Sequence, residues 1–115
     1  MKIKALMIAI FAITSFSLTA QSNNEKLDLQ VEGVCGMCKE RIEEAAMRTT
    51  GVKFAEWHKT DRTLHLVYNG KKVDEETIRT AISATGHRLD NMPADSSAYE
   101  ALPDCCKYDN GIKSH

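Results

Sequence analysis

The spacing of apolar residues changes several times along this chain, and the order of those changes limits the fold more than any other feature. Leu27 to Val31 alternates apolar and polar residues, which is the period of a half-buried strand. From about Cys38 to Thr50 the apolar residues follow helical spacing, and Gly51 is placed to end that helix. The segment therefore predicts a strand followed by a helix.

A hairpin, a second helix and a last short strand are predicted to follow. Val52 leads into the first strand of the hairpin, and Leu64, Leu66 and Tyr68 share one face of the second. The polar connection Lys59–Arg62 between the two strands suits a hairpin. Asp74 is a suitable N-cap for a helix that ends at Gly86. His87–Leu89 is then predicted as the final strand, which completes the order β-α-β-β-α-β.

This order predicts an α+β domain of the ferredoxin-like type, in which two helices cover one face of a four-stranded antiparallel sheet. A chain of 115 residues can bury one such core but not two. The 15 basic and 16 acidic residues argue against nucleic acid as a partner, because phosphate binding needs a clustered excess of basic residues. The sequence contains no recognisable acid–base pair, phosphate-binding glycine loop or Ser-His-Asp set, and we expect a non-enzymatic protein.

The first twenty residues have the three-part pattern of a secretory signal. The basic start Met1–Lys4 precedes the apolar run Ala5–Ile13, which is about half of the ~20 residues that a membrane-spanning helix needs. Small residues before Ala20 suit cleavage there, so we expect an exported protein, periplasmic or secreted, that begins near Gln21. The chain is then divided into a signal peptide, a folded domain and a cysteine-containing tail (1–20, 21–90 and 91–115).

Two of the four cysteines, Cys35 and Cys38, stand where the first predicted strand meets the first predicted helix. At this junction both sulfur atoms can point at one place, and the N–H groups of the helix start favour thiolate over thiol. Two converging soft donors on a partly exposed loop suit Cu(I), Ag(I) or Hg(II), and Zn(II) less well. A closed structural zinc site needs four ligands. The pair therefore predicts an open, exchangeable site for a soft metal ion.

The segment Gly33–Cys38 resembles the metal loop of the heavy-metal-associated domain family, as found in small copper chaperones and periplasmic mercuric-ion binding proteins. Gly51-Val52 and Gly86-His87 resemble the pairs that follow the two helices in that family. The likeness covers about residues 26 to 90 and implies that 21–90 is a heavy-metal-associated domain. It implies a metal carrier whose partner is a metal-transporting membrane protein or another thiol-rich acceptor.

The loop departs from the family pattern at two places. The family usually reads Gly-Met-x-Cys-x-x-Cys, and Glu32 and Gly33 stand where that Gly and Met would be, so the supporting methionine is absent. Met37 lies between the cysteines and is not assigned the missing role. His87 replaces the commoner Tyr or Phe at a position close to the metal loop in this fold. Its neutral imidazole is a candidate third donor, and the alternative is a histidine that only begins a strand.

The adjacent pair Cys105-Cys106 leaves several interpretations open. The two residues could form a strained vicinal disulfide, bind a metal together with Cys35 and Cys38, or cross-link the tail to the core. A site of all four thiolates would fit zinc or a small copper cluster. The sequence does not decide the connectivity, because four cysteines allow three full pairings.

The sequence favours an exported protein that captures a soft metal ion, copper before mercury, and holds or transfers it by thiolate ligand exchange. We expect a monomer, with a metal-bridged dimer as the alternative. A second hypothesis is a periplasmic thiol–disulfide redox protein that uses Cys35/Cys38 and Cys105/Cys106. Against it, the chain is short for a thioredoxin-like fold and has no Trp before its CxxC. A third hypothesis is a binding module stapled by four oxidised cysteines.

Overall fold

The computed structural model describes residues 23–110, and within them the chain forms three strands, three helices and two short 3-10 turns. In chain order the strands and helices are β1 (Asn24–Gln30), α1 (Gly36–Arg48), β2 (Val52–His58), β3 (Thr63–Asn69), α2 (Glu75–Ser83) and α3 (Ser96–Glu100). The 3-10 turns are Asp104–Cys106 and Tyr108–Asn110. The predicted signal segment, 1–20, lies outside the described residues. None of the helices in the described part of the chain is long and apolar enough to cross a membrane.

The sheet is antiparallel and has the strand order β1-β3-β2. The predicted hairpin between β2 and β3 is confirmed, with turn residues at 59–62. Leu64, Leu66 and Tyr68 alternate along β3 and are all buried, as their shared face predicts. Helix α1 packs against β2 and α2, so the core lies between the sheet and these two helices.

The prediction of a fourth strand at His87–Leu89 is wrong for the described residues, in which the sheet has three strands. Leu89 makes only isolated bridges, one to Val31 beyond the end of β1 and one to Met92. The Leu89 N–H donates to the Met92 carbonyl at 3.0 Å, so the chain turns back on itself immediately. A turn at this point leaves too few residues for a ladder. The fold of residues 23–110 is therefore α+β with a three-stranded antiparallel sheet, in place of the four-stranded ferredoxin-like sheet that the sequence predicts.

Both predicted helices are present. Helix α1 begins at Gly36, two residues before the predicted Cys38. Helix α2 has the predicted N-cap, because the Asp74 carboxylate accepts the Thr77 N–H at 2.8 Å. Gly86 follows α2 with a φ of +96°, and a Cβ there would lie 2.7 Å from the backbone nitrogen of Tyr99. Glycine is therefore required both by the backbone conformation and by the close approach of α3.

The tail after α2 is docked onto the domain. The Tyr108 hydroxyl donates to the Gly86 carbonyl at 2.7 Å and accepts the Arg88 N–H at 2.9 Å. The ring of Tyr99 meets the ring of Tyr108 edge to face, with centroids 5.0 Å apart. Leu102 is buried in the same core as the sheet and helices. The second 3-10 turn therefore packs against the segment that follows α2.

Candidate metal centre

The start of α1 brings the two loop cysteines together. Cys35 is the N-cap residue of α1, and Cys38 lies in its first turn. Both side chains are buried, and their Sγ atoms are 3.5 Å apart. This is the convergence that the CxxC spacing at a strand–helix junction predicts.

The docked tail places the other two cysteines at the same point. Cys106 is fully buried, and its Sγ lies 3.5 Å from that of Cys35. The Cys105 Sγ lies 4.0 Å from both Cys35 and Cys106. All four cysteines, including Cys38, are free thiols in the structure. The four sulfur atoms therefore form one cluster, to which the loop and the tail each contribute two. This is the arrangement expected if Cys105 and Cys106 bind a metal together with the loop cysteines, which is one of the interpretations that the sequence leaves open.

The Sγ of Cys35 lies within 4.0 Å of each of the other three sulfur atoms. Burial raises the pKa of its thiol, but the backbone N–H of Cys38, the thiols of Cys38 and Cys106 and the backbone N–H of Met37 favour the thiolate, and together they lower the pKa to about 7. Burial raises the pKa of Cys38, and burial together with the Cys38 and Cys35 sulfurs strongly raises that of Cys106. Of these three groups, Cys35 is the one that is substantially thiolate near neutral pH.

A tryptophan supports the loop from the core side. A Cβ on Gly33 would lie 3.0 Å from the Trp57 ring and 3.2 Å from the Cβ of Cys38. The Trp57 indole N–H donates to the Val31 carbonyl at 3.0 Å, which holds the ring in that place. The position where the family would carry methionine therefore has no room for a side chain, because the Trp57 ring fills it. Gly33 and Trp57 are 24 positions apart, and no spacing in the sequence reveals this contact.

His87 is fully buried beside the loop, as expected for the position after Gly86. Its Nδ1 lies 2.7 Å from the Glu32 carbonyl, and its Nε2 is buried with no hydrogen-bond partner among the described residues. Burial lowers the pKa of His87 to about 4, the charge of Arg41 adds to this, and the Glu32 carbonyl opposes it. The imidazole is therefore neutral near pH 7. Its nitrogens lie outside the group of ligand atoms that are all within 4.8 Å of one another, which consists of Cys35, Cys105 and Cys106.

One sulfur at the site was missed from the sequence. The Met37 thioether lies 3.8 Å from the Cys105 thiol, and about half of its side chain is exposed. Its place between the two loop cysteines is the signal that could have indicated this proximity. Soft thioether and thiol groups thus face each other at the outer edge of the cluster.

No protein-family model and no curated protein matches the chain. Several solved structures do match it. The CopZ metallochaperone is 29% identical with a TM-score of 0.55, over 56% of this chain and 98% of that one. A copper binding domain from HMA7, a P-type ATPase, is 27% identical with a TM-score of 0.55, over 56% and 89%. The copper form of a CopA variant from Bacillus subtilis is 26% identical with a TM-score of 0.52, over 59% and 91%.

These structures agree with the resemblance that the Gly33–Cys38 loop carries. The matched share of this chain is a little over half, whereas nearly all of each neighbour is matched. The chain therefore contains a domain like the heavy-metal-associated domains of copper chaperones.

Proposed function

We propose that this protein is an exported carrier of Cu(I), which it captures through Cys35 and Cys38 and then holds or passes on. The observation that carries the proposal is the convergence of these two thiols, 3.5 Å apart at the start of α1, in a domain like those of copper chaperones. Paired thiolates select soft cations, and Cu(I) is the first of these. Hg(II) is the second candidate, followed by Ag(I) and Zn(II).

Capture begins at Cys35, because its lowered pKa supplies the thiolate that makes the first bond to the metal. Cys38 is a neutral thiol near pH 7 and loses its proton as the second bond forms, so binding releases protons to the solvent. For release, an incoming thiolate of the acceptor adds to the metal, and one of the protein's thiolates then departs. The metal changes ligands without changing its oxidation state, so no catalytic residue is needed.

The partner that fits this chemistry is a metal-transporting membrane protein or another acceptor with paired thiols. Export is supported by the signal-like pattern of residues 1–20, and a periplasmic or secreted location follows from it. We propose a monomer, with a metal-bridged dimer through the CxxC loops as the alternative state.

The test is an anaerobic Cu(I) titration of the reduced chain from Gln21 against a chromophoric chelator. The chain is expected to take Cu(I) from the chelator in stoichiometric amount, and Cys35→Ser is expected to abolish this uptake. Met47→Ser is the matched control, because it removes an exposed sulfur from the far end of the same helix. If the reduced protein does not compete with the chelator, copper is the wrong metal, and the same titration is repeated with Hg(II).

A further inference from the structure

The sulfur atoms of Cys35, Cys105 and Cys106 form a triangle with sides of 3.5, 4.0 and 4.0 Å. A metal about 2.3 Å from each of three thiolates holds them about 4.0 Å apart, whereas two thiolates in a linear site stand about 4.6 Å apart. The triangle therefore fits a three-coordinate metal with a shift of about 0.5 Å in one side. The Cys35–Cys38 pair, at 3.5 Å, would have to open by about 1 Å to become linear.

The fourth thiol does not complete a tetrahedron. Cys38 is outside the group of sulfur atoms that all lie within 4.8 Å of one another. A closed zinc site would need four mutually close ligands. Three thiolates in a plane suit Cu(I), a soft ion that accepts low coordination numbers.

The tail thiols are positioned by packing that does not involve sulfur. The hydroxyl of Tyr108 bonds the backbone of Gly86 and Arg88, and the Arg88 guanidinium pairs with Asp109 at 3.1 Å. Leu102, on the other side of the cysteine pair, is anchored in the core. Cys105 and Cys106 are thus held between two anchored points, which makes a site with little reorganisation on metal binding.

We propose that Cys35, Cys105 and Cys106 form a three-thiolate Cu(I) site, in which the tail holds the metal against release. This proposal rests on the proposed copper-binding function and adds how the cargo is retained. In the transfer step described above, a thiolate from the acceptor is the third ligand. The tail thiols occupy that place from within the same chain, so an acceptor must displace them before it can take the metal.

Cys35 is a ligand both in the Cys35/Cys38 pair and in the triangle of Cys35, Cys105 and Cys106. When Cu(I) moves from Cys35/Cys38 to the triangle, the bond to Cys38 breaks and bonds to Cys105 and Cys106 form. Cys38 takes up one proton and the two tail thiols release two, so one proton goes to solvent and no electron is transferred. The metal therefore passes between a transferable and a retained state without leaving the protein.

The experiment compares Cys38→Ser with the double variant Cys105→Ser/Cys106→Ser, each loaded anaerobically with one equivalent of Cu(I). X-ray absorption at the copper edge is expected to find three sulfur ligands in the unmodified chain and in Cys38→Ser, and two in the double variant. Outer-shell partners of a metal site already contribute about 10- to 100-fold to affinity, so loss of two direct ligands should weaken binding by about 100-fold or more. Cys38→Ser should stay within about tenfold of the unmodified affinity.

Transfer gives a second readout. Release of Cu(I) to a synthetic CxxC peptide should be faster from the double variant than from the unmodified chain. Tyr108→Phe keeps all four thiols and loses the two hydroxyl hydrogen bonds of the tail, so it should weaken Cu(I) binding by up to about 30-fold. This variant tests the proposal even if a buried serine impairs folding in the other variants.

The proposal is overturned if Cys38→Ser abolishes binding while the double variant keeps full affinity and two sulfur ligands. That outcome would leave the copper carrier intact and remove only the retaining role of the tail. Loss of binding in Cys35→Ser, together with unchanged binding in Tyr108→Phe and in the double variant, would also remove that role. Failure of the unmodified chain to bind Cu(I) would instead reject the proposed function itself.

Discussion

The Sγ atoms of Cys35 and Cys106 lie 3.5 Å apart, although the two residues are separated by 71 positions in the chain. Cys35 is the N-cap residue of α1, and Cys106 ends the first 3-10 turn of the tail. The contact joins the loop that resembles known metal sites to a segment that the resemblance does not cover. It makes the tail part of the candidate metal centre.

Ionisation of Cys35 gives the first prediction. In the reduced, metal-free protein the ultraviolet absorbance of thiolate should rise in a step centred near pH 7, because the pKa of Cys35 is lowered to about 7. Cys35→Ser should remove this step, and Met47→Ser should leave it in place. A titration that is flat through neutral pH in the unmodified protein would contradict the assignment.

The contact between Gly33 and Trp57 predicts a difference between two glycines in the same loop. Gly33→Ala should lower the free energy of unfolding by about 1–3 kcal/mol, because its Cβ would be forced against the ring 3.0 Å away. Gly36→Ala is the matched control, since a Cβ there meets nothing within 4 Å and the residue lies in the first turn of α1. Its stability should be unchanged or slightly higher. Chemical denaturation measures both, and equal losses would contradict the packing role of Trp57.

Burial of His87 predicts that stability falls in mild acid. The pKa of His87 is about 4 in the folded state and about 6.5 when exposed, so the unfolded chain binds the proton more readily between these values. Stability is therefore fully present above about pH 6.5 and decreases by about 3 kcal/mol in total as the pH falls to about 4. Denaturation of the metal-free protein at a series of pH values should show this decrease. His87→Phe should flatten the curve, whereas the exposed His58→Phe should not.

Docking of the tail predicts protection from proteolysis at Lys107. Tyr108→Phe removes the hydrogen bonds to Gly86 and Arg88, each of which contributes about 1 kcal/mol, so the tail should open more often. Cleavage by trypsin after Lys107 should then be about 30-fold faster. Tyr68→Phe is the control, because it loses the hydrogen bond that the Tyr68 hydroxyl on β3 donates to the Glu25 carboxylate on β1, far from the tail. Equal cleavage rates in the two variants would show that the hydroxyl of Tyr108 does not hold the tail.

Export predicts a defined mature end. Expression of the full chain in a bacterium with an intact secretion pathway should yield a product whose intact mass corresponds to a start at Gln21, recovered outside the cytoplasm. Replacement of Ile8 and Ile10 by charged residues should leave the product unprocessed in the cytoplasm, because it interrupts the apolar run that the export machinery recognises. A full-length product recovered from the cytoplasm of the unmodified strain would contradict the signal assignment.

Local signals in the sequence were sufficient for most of the helices and strands. The alternation in β3, the N-cap Asp74 and the glycines after α1 and α2 act over a few neighbouring residues, and each is found where it was predicted. The convergence of Cys35 and Cys38 is also local, because a helix start fixes both residues within one turn. For this reason the loop, its soft-metal chemistry and its resemblance to copper-binding domains could be predicted from the chain alone.

Tertiary structure alone decided the contacts between distant segments. The last predicted strand is reduced to bridges at Leu89, because the chain turns back toward Met92 there. The tail docks through the side chains of Leu102 and Tyr108, whose partners lie far away in sequence and follow no periodic pattern. Whether Cys106 meets Cys35 depends on the sum of such contacts, and no spacing within the sequence encodes that sum.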